Sequence, residues 1–267
     1  MNTDEFAQRY GPVALVTGAS SGIGRAFAAQ LAARGFDLVI VARRVPRLHE
    51  LADDLRERHG VRVTVVEADL ACADAAQRIL DATAALDVGL LVSNAGFGFK
   101  GAFDAADPQA ISDMLMVNCH APLRLARGFA PRLRRRGRGG IVFTSSVEGL
   151  IGCPYSAAYA ASKAFVVSLG EALWAELAPD GIAVLTLCPG ATDTEAPRLQ
   201  GIDPATLPHL MSADAVATLA LDHLDDGPRY VPSEHYRASF ERLLAMPRRD
   251  ALRAMAVAMK PRPAKIP

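Results

Sequence analysis

The chain has 267 residues, 51% of them hydrophobic, and its 29 basic side chains balance 29 acidic ones. This composition supplies ample core material and argues against a disordered chain or a surface given over to nucleic acid. No apolar run reaches the roughly 18 residues of a membrane span, and the start MNTDEFAQRYGP lacks a signal peptide's basic end and apolar stretch, so a soluble, cytoplasmic protein is expected.

Short β-branched runs alternate with Ala/Leu-rich amphipathic stretches, the pattern of a parallel sheet covered by helices. Strands are predicted at 13–17, 37–42, 62–66, 89–93, 140–145, 182–188 and 229–231. Helices are predicted between them at 22–34, 46–59, 73–86, 108–136, 157–178 and 212–225. Seven strands with six crossovers describe one doubly wound α/β domain over residues 1–232, a seven-stranded parallel sheet flanked by helices, with ligands expected beyond the strands' carboxyl ends. Residues 233–267 add a helical C-terminal extension of the same domain, because Leu243, Leu244, Met246, Ala251, Leu252, Met255 and Met259 suggest an amphipathic helix. It could pack on the body, cover the substrate pocket, make an oligomer contact or touch a membrane surface. The basic run 132–138 (RLRRRGR) reads as a solvated helix end, where cations suit the negative pole of the helix dipole. Cys72, Cys119, Cys153 and Cys188 lie far apart with no CxxC or HxxxH spacing anywhere, so neither a disulfide framework nor a metal site is expected.

The first strand, VALVT, runs into Gly18-Ala19-Ser20-Ser21-Gly22-Ile23-Gly24 and then a helix. Glycines let backbone turn tightly and approach phosphate oxygens, and the N–H groups of the helix start bind the anion. The spacing GxxxGxG differs from the GxGxxG of the common dinucleotide fingerprint.

Five motifs share one order: TGASSGIG, Asn94-Ala95-Gly96, Ser146, Tyr159-x-x-x-Lys163, and Pro189-Gly190. Their types and spacing, over residues 13 to about 195, resemble the short-chain dehydrogenase/reductase family. The resemblance implies a Rossmann-type fold, a nicotinamide cofactor and hydride transfer at an alcohol or carbonyl carbon. An NAD enzyme places an acid about 20 residues after the glycine turn to bind the ribose 2′-hydroxyl. Here Ala42 stands in that place, followed by Arg43 and Arg44, with no carboxylate before Glu50. Arg43 can pair bidentately with a 2′-phosphate, which points to NADP(H); the alternative is a solvated basic pair. Asp69-Leu70 resembles the family's adenine-contacting pair, although by itself Asp69 reads as a helix N-cap. Pro189, Gly190, Thr192 and Thr194 resemble the segment that holds the nicotinamide carboxamide.

Tyr159 and Lys163 stand four residues apart, on one helix face. A free tyrosine titrates near 10, and a nearby ammonium and an oxidised nicotinamide ring would favour its phenolate. Ser146, thirteen residues before Tyr159, has the spacing of the family's catalytic serine. Its hydroxyl can donate to the substrate oxygen. Ser145 is the alternative, although strand alternation aims the two neighbours oppositely. Asn118 matches the family's fourth catalytic residue, which by resemblance holds a water linking Lys163 to solvent. Together these imply an NADP(H)-dependent oxidoreductase acting on a small-molecule substrate, in a family whose members form homodimers or homotetramers. The alternative is a non-catalytic NADP(H)-binding regulator, which the intact Ser146, Tyr159, Lys163 and Asn118 argue against. Phe97-Gly98-Phe99, residues 148–155 and the loop 195–211 are expected to wall the substrate pocket, with Tyr155 in the wall. Their mainly apolar character suits an apolar ketone or alcohol, and Pro197, Gly201, Pro204 and Pro208 suit a lid. Glu148 stands where small residues are common, either to bind a polar substrate group or to form a rim salt bridge.

Overall fold

Five consecutive buried residues, Val13–Thr17 (β1), form a central strand because β-branched side chains suit a pleat covered on both faces. The computed structural model describes residues 3–200 and 202–260; Gly201 of the expected lid and residues 261–267 of the expected tail lie outside them. After β1 come β2 (Asp37–Ala42), β3 (Val63–Glu67), β4 (Val88–Ser93), β5 (Gly139–Thr144) and β6 (Ile182–Leu187). Three two-residue strands follow: β7 (Thr192–Asp193), β8 (Met211–Ser212) and β9 (Arg229–Tyr230). The main sheet has seven parallel strands in the order β3-β2-β1-β4-β5-β6-β9, while β7 and β8 pair separately. This is the expected Rossmann-type α/β architecture.

Helices α1 (Thr3–Tyr10), α2 (Gly22–Ala33), α3 (Val45–His59), α4 (Ala75–Ala82), α5 (Pro108–Leu115), α6 (Ala121–Arg136) and α7 (Ala157–Leu177) precede β6. Helices α8 (Glu195–Leu199), α9 (Ala213–Asp222), α10 (Glu234–Ala245) and α11 (Arg248–Met259) follow it. Side-chain alternation divides the core. Ala14, Val16, Leu38 and Ile40 meet Phe27, Leu31 and Leu51 on one face, whereas Leu15, Val39 and Val41 meet Ile79, Leu125 and Phe129 on the other.

The basic run closes α6 ahead of Gly137, whose φ of 66° gives the left-handed cap. Three of its arginines have partners within the chain: Arg134 pairs with Asp180, Arg136 with Asp87, and Arg132 donates to the carbonyls of Leu80 and Thr83, while Arg135 and Arg138 are exposed. Three boundaries depart from expectation. The helix expected at 108–136 is interrupted by a π-helical turn, Met116–His120, that separates α5 from α6. The helix expected from residue 73 begins at Ala75 behind Asp74, and Asp69 caps only a local turn by accepting from the Ala71 N–H at 3.0 Å. The tail forms two helices rather than one, and Phe240, Ala251 and Met255 pack on Val147, Ile151, Cys153 and Cys188 of the body. Among the described residues no helix is long and apolar enough to cross a membrane.

Candidate active site

Sheet order reverses between β1 and β4, so the crevice for a ligand opens beyond their carboxyl ends. There Gly18 takes φ +70° and donates its N–H to the Val41 carbonyl at 2.8 Å. A Cβ on Gly18 would lie 2.9 Å from the Cα of Ala95, and one on Gly24 only 2.3 Å from the Gly18 oxygen. The turn therefore admits backbone alone and leads straight into the N-terminus of α2, which fits the pyrophosphate of a dinucleotide. Asn94 and Ala95 both donate their N–H groups to the Thr17 hydroxyl at 3.0 Å. The Asn94 amide donates to the Thr17 carbonyl and accepts from the Thr144 hydroxyl, so this side chain stitches three strand ends together. Gly96 lies against the Lys163 ammonium, which a Cβ would approach to 2.8 Å.

The two arginines after β2 part company. Arg43 is exposed and faces Asp69, 3.8 Å away. Arg44 instead reaches back over the glycine turn, donating to the hydroxyls of Ser20 at 3.1 Å and Ser21 at 2.6 Å. It also pairs with Glu195 at 2.8 Å, and Arg47 holds the other Glu195 oxygen. These two guanidinium groups pull the Glu195 carboxyl down to about 2. Arg47, one turn beyond Arg44 on α3, was missed in the sequence, as was the acid from α8 that straps them. Thr194 caps α8 by accepting from the Ala196 N–H, and its methyl lies against Gly22. Thr192 is buried, its hydroxyl donating to the Gly190 carbonyl. Leu70 is buried in the core face that also holds Leu15, Val39 and Val41.

Ser146, Tyr159, Lys163 and Asn118 converge at the ends of β4 and β5. Lys163 is 3% exposed and donates to the Thr144 carbonyl at 2.9 Å, with its ammonium 5.7 Å from the centre of the Tyr159 ring. Burial lowers the Lys163 amine to about 8. Burial, then the negative charge of Glu148, raises the Tyr159 phenol above its ordinary 10, and the Ser146 hydroxyl offsets this in part. Ser145 is committed elsewhere, donating to the Lys163 carbonyl at 2.8 Å, which leaves Ser146 as the serine of the cleft. Asn118 sits in the π-helical turn, a distortion common at functional sites. Its amide donates to the Phe97 carbonyl at 2.8 Å and to the Ser162 hydroxyl at 2.9 Å, and its oxygen accepts from the Phe97 N–H. The side chain thus ties the loop after β4 to α7.

Beside this group lies a cleft of about 320 Å³ whose lining includes Phe99, Lys100, Ile111, Tyr155, Ser156 and Tyr159. Of the expected wall, Phe99 and Tyr155 line this cleft, whereas residues 148–154 and the described part of the loop 195–211 do not; Tyr155 is held at φ 59° while its carbonyl accepts from the Gly101 N–H at 2.8 Å. That left-handed backbone is costly for a residue with a side chain. Two further groups had no sequence signal. Lys100 forms an ion pair with Glu148, and Tyr236 of α10 lays its ring over Gly190, where a Cβ would come within 2.2 Å of it.

A sequence model described as short chain dehydrogenase matches residues 12–202. The chain is 31% identical over 248 residues to a 7beta-hydroxysteroid dehydrogenase of Clostridium sardiniense, covering 92% of this chain and 95% of that one. A solved short-chain dehydrogenase from Sphingobium yanoikuyae in complex with NADPH shares 36% identity, with a TM-score of 0.81 over 96% of this chain and 98% of the other. A bulky-bulky ketone specific alcohol dehydrogenase from Comamonas testosteroni shares 34% identity, with a TM-score of 0.75 over 96% and 97% of the two chains. These likenesses support a nicotinamide cofactor. On sequence, fold and the extent of the match, the chain belongs to the short-chain dehydrogenase/reductase family of oxidoreductases.

Proposed function

We propose that the protein is an NADP(H)-dependent oxidoreductase that interconverts a carbonyl and an alcohol on an apolar, small-to-medium substrate. The observation that carries this reading is the convergence of Ser146, Tyr159, Lys163 and Asn118 beside a largely apolar cleft at the sheet's switch point. In this reading the glycine turn and α2 hold the pyrophosphate, and Pro189, Gly190, Thr192 and Thr194 hold the nicotinamide end. Ser20, Ser21, Arg43, Arg44 and Arg47 bind the 2′-phosphate, which competes with Glu195 for the donors of Arg44 and Arg47. When bound, the cofactor supplies or accepts the hydride.

The chain's own groups handle the oxygen and its proton. Ser146 accepts from the Glu148 N–H at 3.1 Å, and its own proton, which faces the Tyr159 oxygen, is the one to donate to the substrate oxygen. Tyr159 passes a proton to that oxygen as the alcohol forms; its raised phenol stays protonated at neutral pH, the form a general acid needs. Lys163 holds the nicotinamide ribose and, when charged, eases the reverse proton transfer by favouring the phenolate. Asn118 positions the loop after β4 against α7, keeping the carbonyl side of the cleft in register.

The deciding experiment is a coupled screen of ketones and aldehydes of graded size with NADPH and NADH, alongside titration of each cofactor. Turnover rising with apolar size and tighter binding of NADPH are expected. Equal affinity for NADH would overturn the phosphate-site reading, and exclusive use of small phosphorylated sugars would overturn the substrate reading.

A further inference from the structure

Glu195 opens α8 and pairs with two arginines at the start of α3. One of its oxygens accepts from Arg44 at 2.8 Å and the other from Arg47 at 2.5 Å. Arg44 in turn donates through Nε and Nη2 to the Ser20 hydroxyl and through Nη2 to that of Ser21. The carboxylate therefore takes up donors of the same guanidinium group that lies on the serines of the glycine turn. Held at about 2 by the two guanidinium groups, Glu195 is charged throughout the neutral range.

Stability gives little reason for this bridge. Its three side chains are 41–45% exposed, and ion pairs of that kind contribute modestly. What the bridge does hold is α8. None of the five residues of α8 is buried, and Leu199 stands 82% exposed, so apolar packing does not fasten it. The pairing of β7 with β8 anchors the chain as far as Asp193, and the Thr194 methyl lies against Gly22. Beyond those points Glu195 ties the helix to α3. An arriving 2′-phosphate needs the same donors, and two anions side by side on them repel.

We propose that Glu195 is a cofactor-specificity residue that keeps the phosphate site closed as an internal competitor: the 2′-phosphate of NADP(H) takes its place on Arg44 and Arg47 and releases α8, whereas NAD(H) leaves the bridge shut. A competitor on the donors lowers apparent affinity by the fraction of molecules in which the bridge is open. The exchange is cheap because every partner is solvated, and it gives the 2′-phosphate an effect on α8 that the rest of the dinucleotide lacks. The inference rests on reading Ser20, Ser21, Arg44 and Arg47 as the phosphate site.

The test titrates two ligands without a nicotinamide, adenosine 2′,5′-bisphosphate and AMP, which differ by the 2′-phosphate alone. Affinity is read by calorimetry in the wild type, Glu195→Gln and Glu195→Ala. The bisphosphate is expected to bind the variants about 3- to 10-fold more tightly than the wild type, with AMP unchanged. Release of α8 is read with trypsin, because Arg198 and Leu199 flank an exposed bond inside it. In the wild type the bisphosphate is expected to speed the cut after Arg198 several-fold and AMP to leave it alone, whereas in the variants the cut is fast without ligand. Weaker or unchanged binding of the bisphosphate in both variants would mean that Glu195 merely braces the two arginines, and the proposal is overturned. Cleavage after Arg198 that ignores both ligand and variant overturns the release of α8. If the wild type binds the bisphosphate no more tightly than AMP, the phosphate-site reading itself falls, and this inference with it.

Discussion

At the ends of β1 and β4 the molecule closes around backbone: at Gly18, Gly22, Gly24 and Gly96 an added Cβ would come within 2.9, 3.0, 2.3 and 2.8 Å of a neighbouring atom. On the cleft's side the contacts are made by side chains from distant parts of the chain: Lys100 and Tyr155 line the cleft, Glu148 pairs with Lys100, and Tyr236 lies over Gly190. The first side is set by steric exclusion and strand pairing, and it tolerates little change. The second depends on charge pairing and aromatic packing, away from the strands of the sheet. Substitutions on the two sides should therefore separate cofactor binding from substrate use.

The largest expected effect is Tyr159→Phe. The ring still packs while the proton donor is lost, so turnover should fall by about 10²–10⁴ with NADPH affinity nearly unchanged. Steady-state kinetics and fluorescence titration of NADPH check both halves, and turnover near that of the wild type would remove Tyr159 from the mechanism. Next is Arg44→Ala, expected to weaken NADPH by about 10- to 100-fold and to leave NADH nearly untouched. Arg43→Ala should cost less, because Arg43 points toward Asp69 while Arg44 lies on Ser20 and Ser21. The reverse ranking in a cofactor titration would return the main phosphate contact to Arg43.

Tyr236→Ala probes the substrate side. Its hydroxyl donates to the Pro208 carbonyl and its ring covers Gly190, so it links the loop after α8 to the segment after β6. Its loss should raise KM for bulky ketones several-fold with a smaller change in NADPH affinity. Equal losses in both would make it part of the cofactor side.

The smallest effect is on stability. Lys163 has a folded-state value of about 8, below the ordinary 10.5 of lysine, so between those values the unfolded chain binds more protons. Stability from this group therefore rises as pH climbs from about 8 toward 10.5. Denaturant unfolding of the wild type and Lys163→Met should show the difference moving in favour of the wild type over that window. A difference independent of pH would mean that the buried amine is not shifted.

The strand and helix pattern and the glycine turn were legible in the sequence because they obey local rules: hydrophobic period, β-branching, and glycine where backbone must pass closely. The candidate catalytic residues Ser146 (two residues past the end of β5), Tyr159, Lys163 and Asn118 were legible through the resemblance of their types and order to the short-chain dehydrogenase/reductase motifs, since a tyrosine and a lysine on one helix face are common by themselves. The break in the helix at 116–120 was not, because a π-helical turn adds one residue to a turn without altering the apolar pattern enough to reveal it. Nor could the sequence tell Arg43 from Arg44: adjacent side chains at a strand end diverge, and only the packed turn decides which one crosses it. The pairing of Lys100 with Glu148, the strap from Glu195 to Arg44 and Arg47, and the seat of Tyr236 on Gly190 join residues between 46 and 151 positions apart. Local propensity carries no information across such distances, so these contacts, and with them the shape of the substrate side, were decided by the tertiary structure alone.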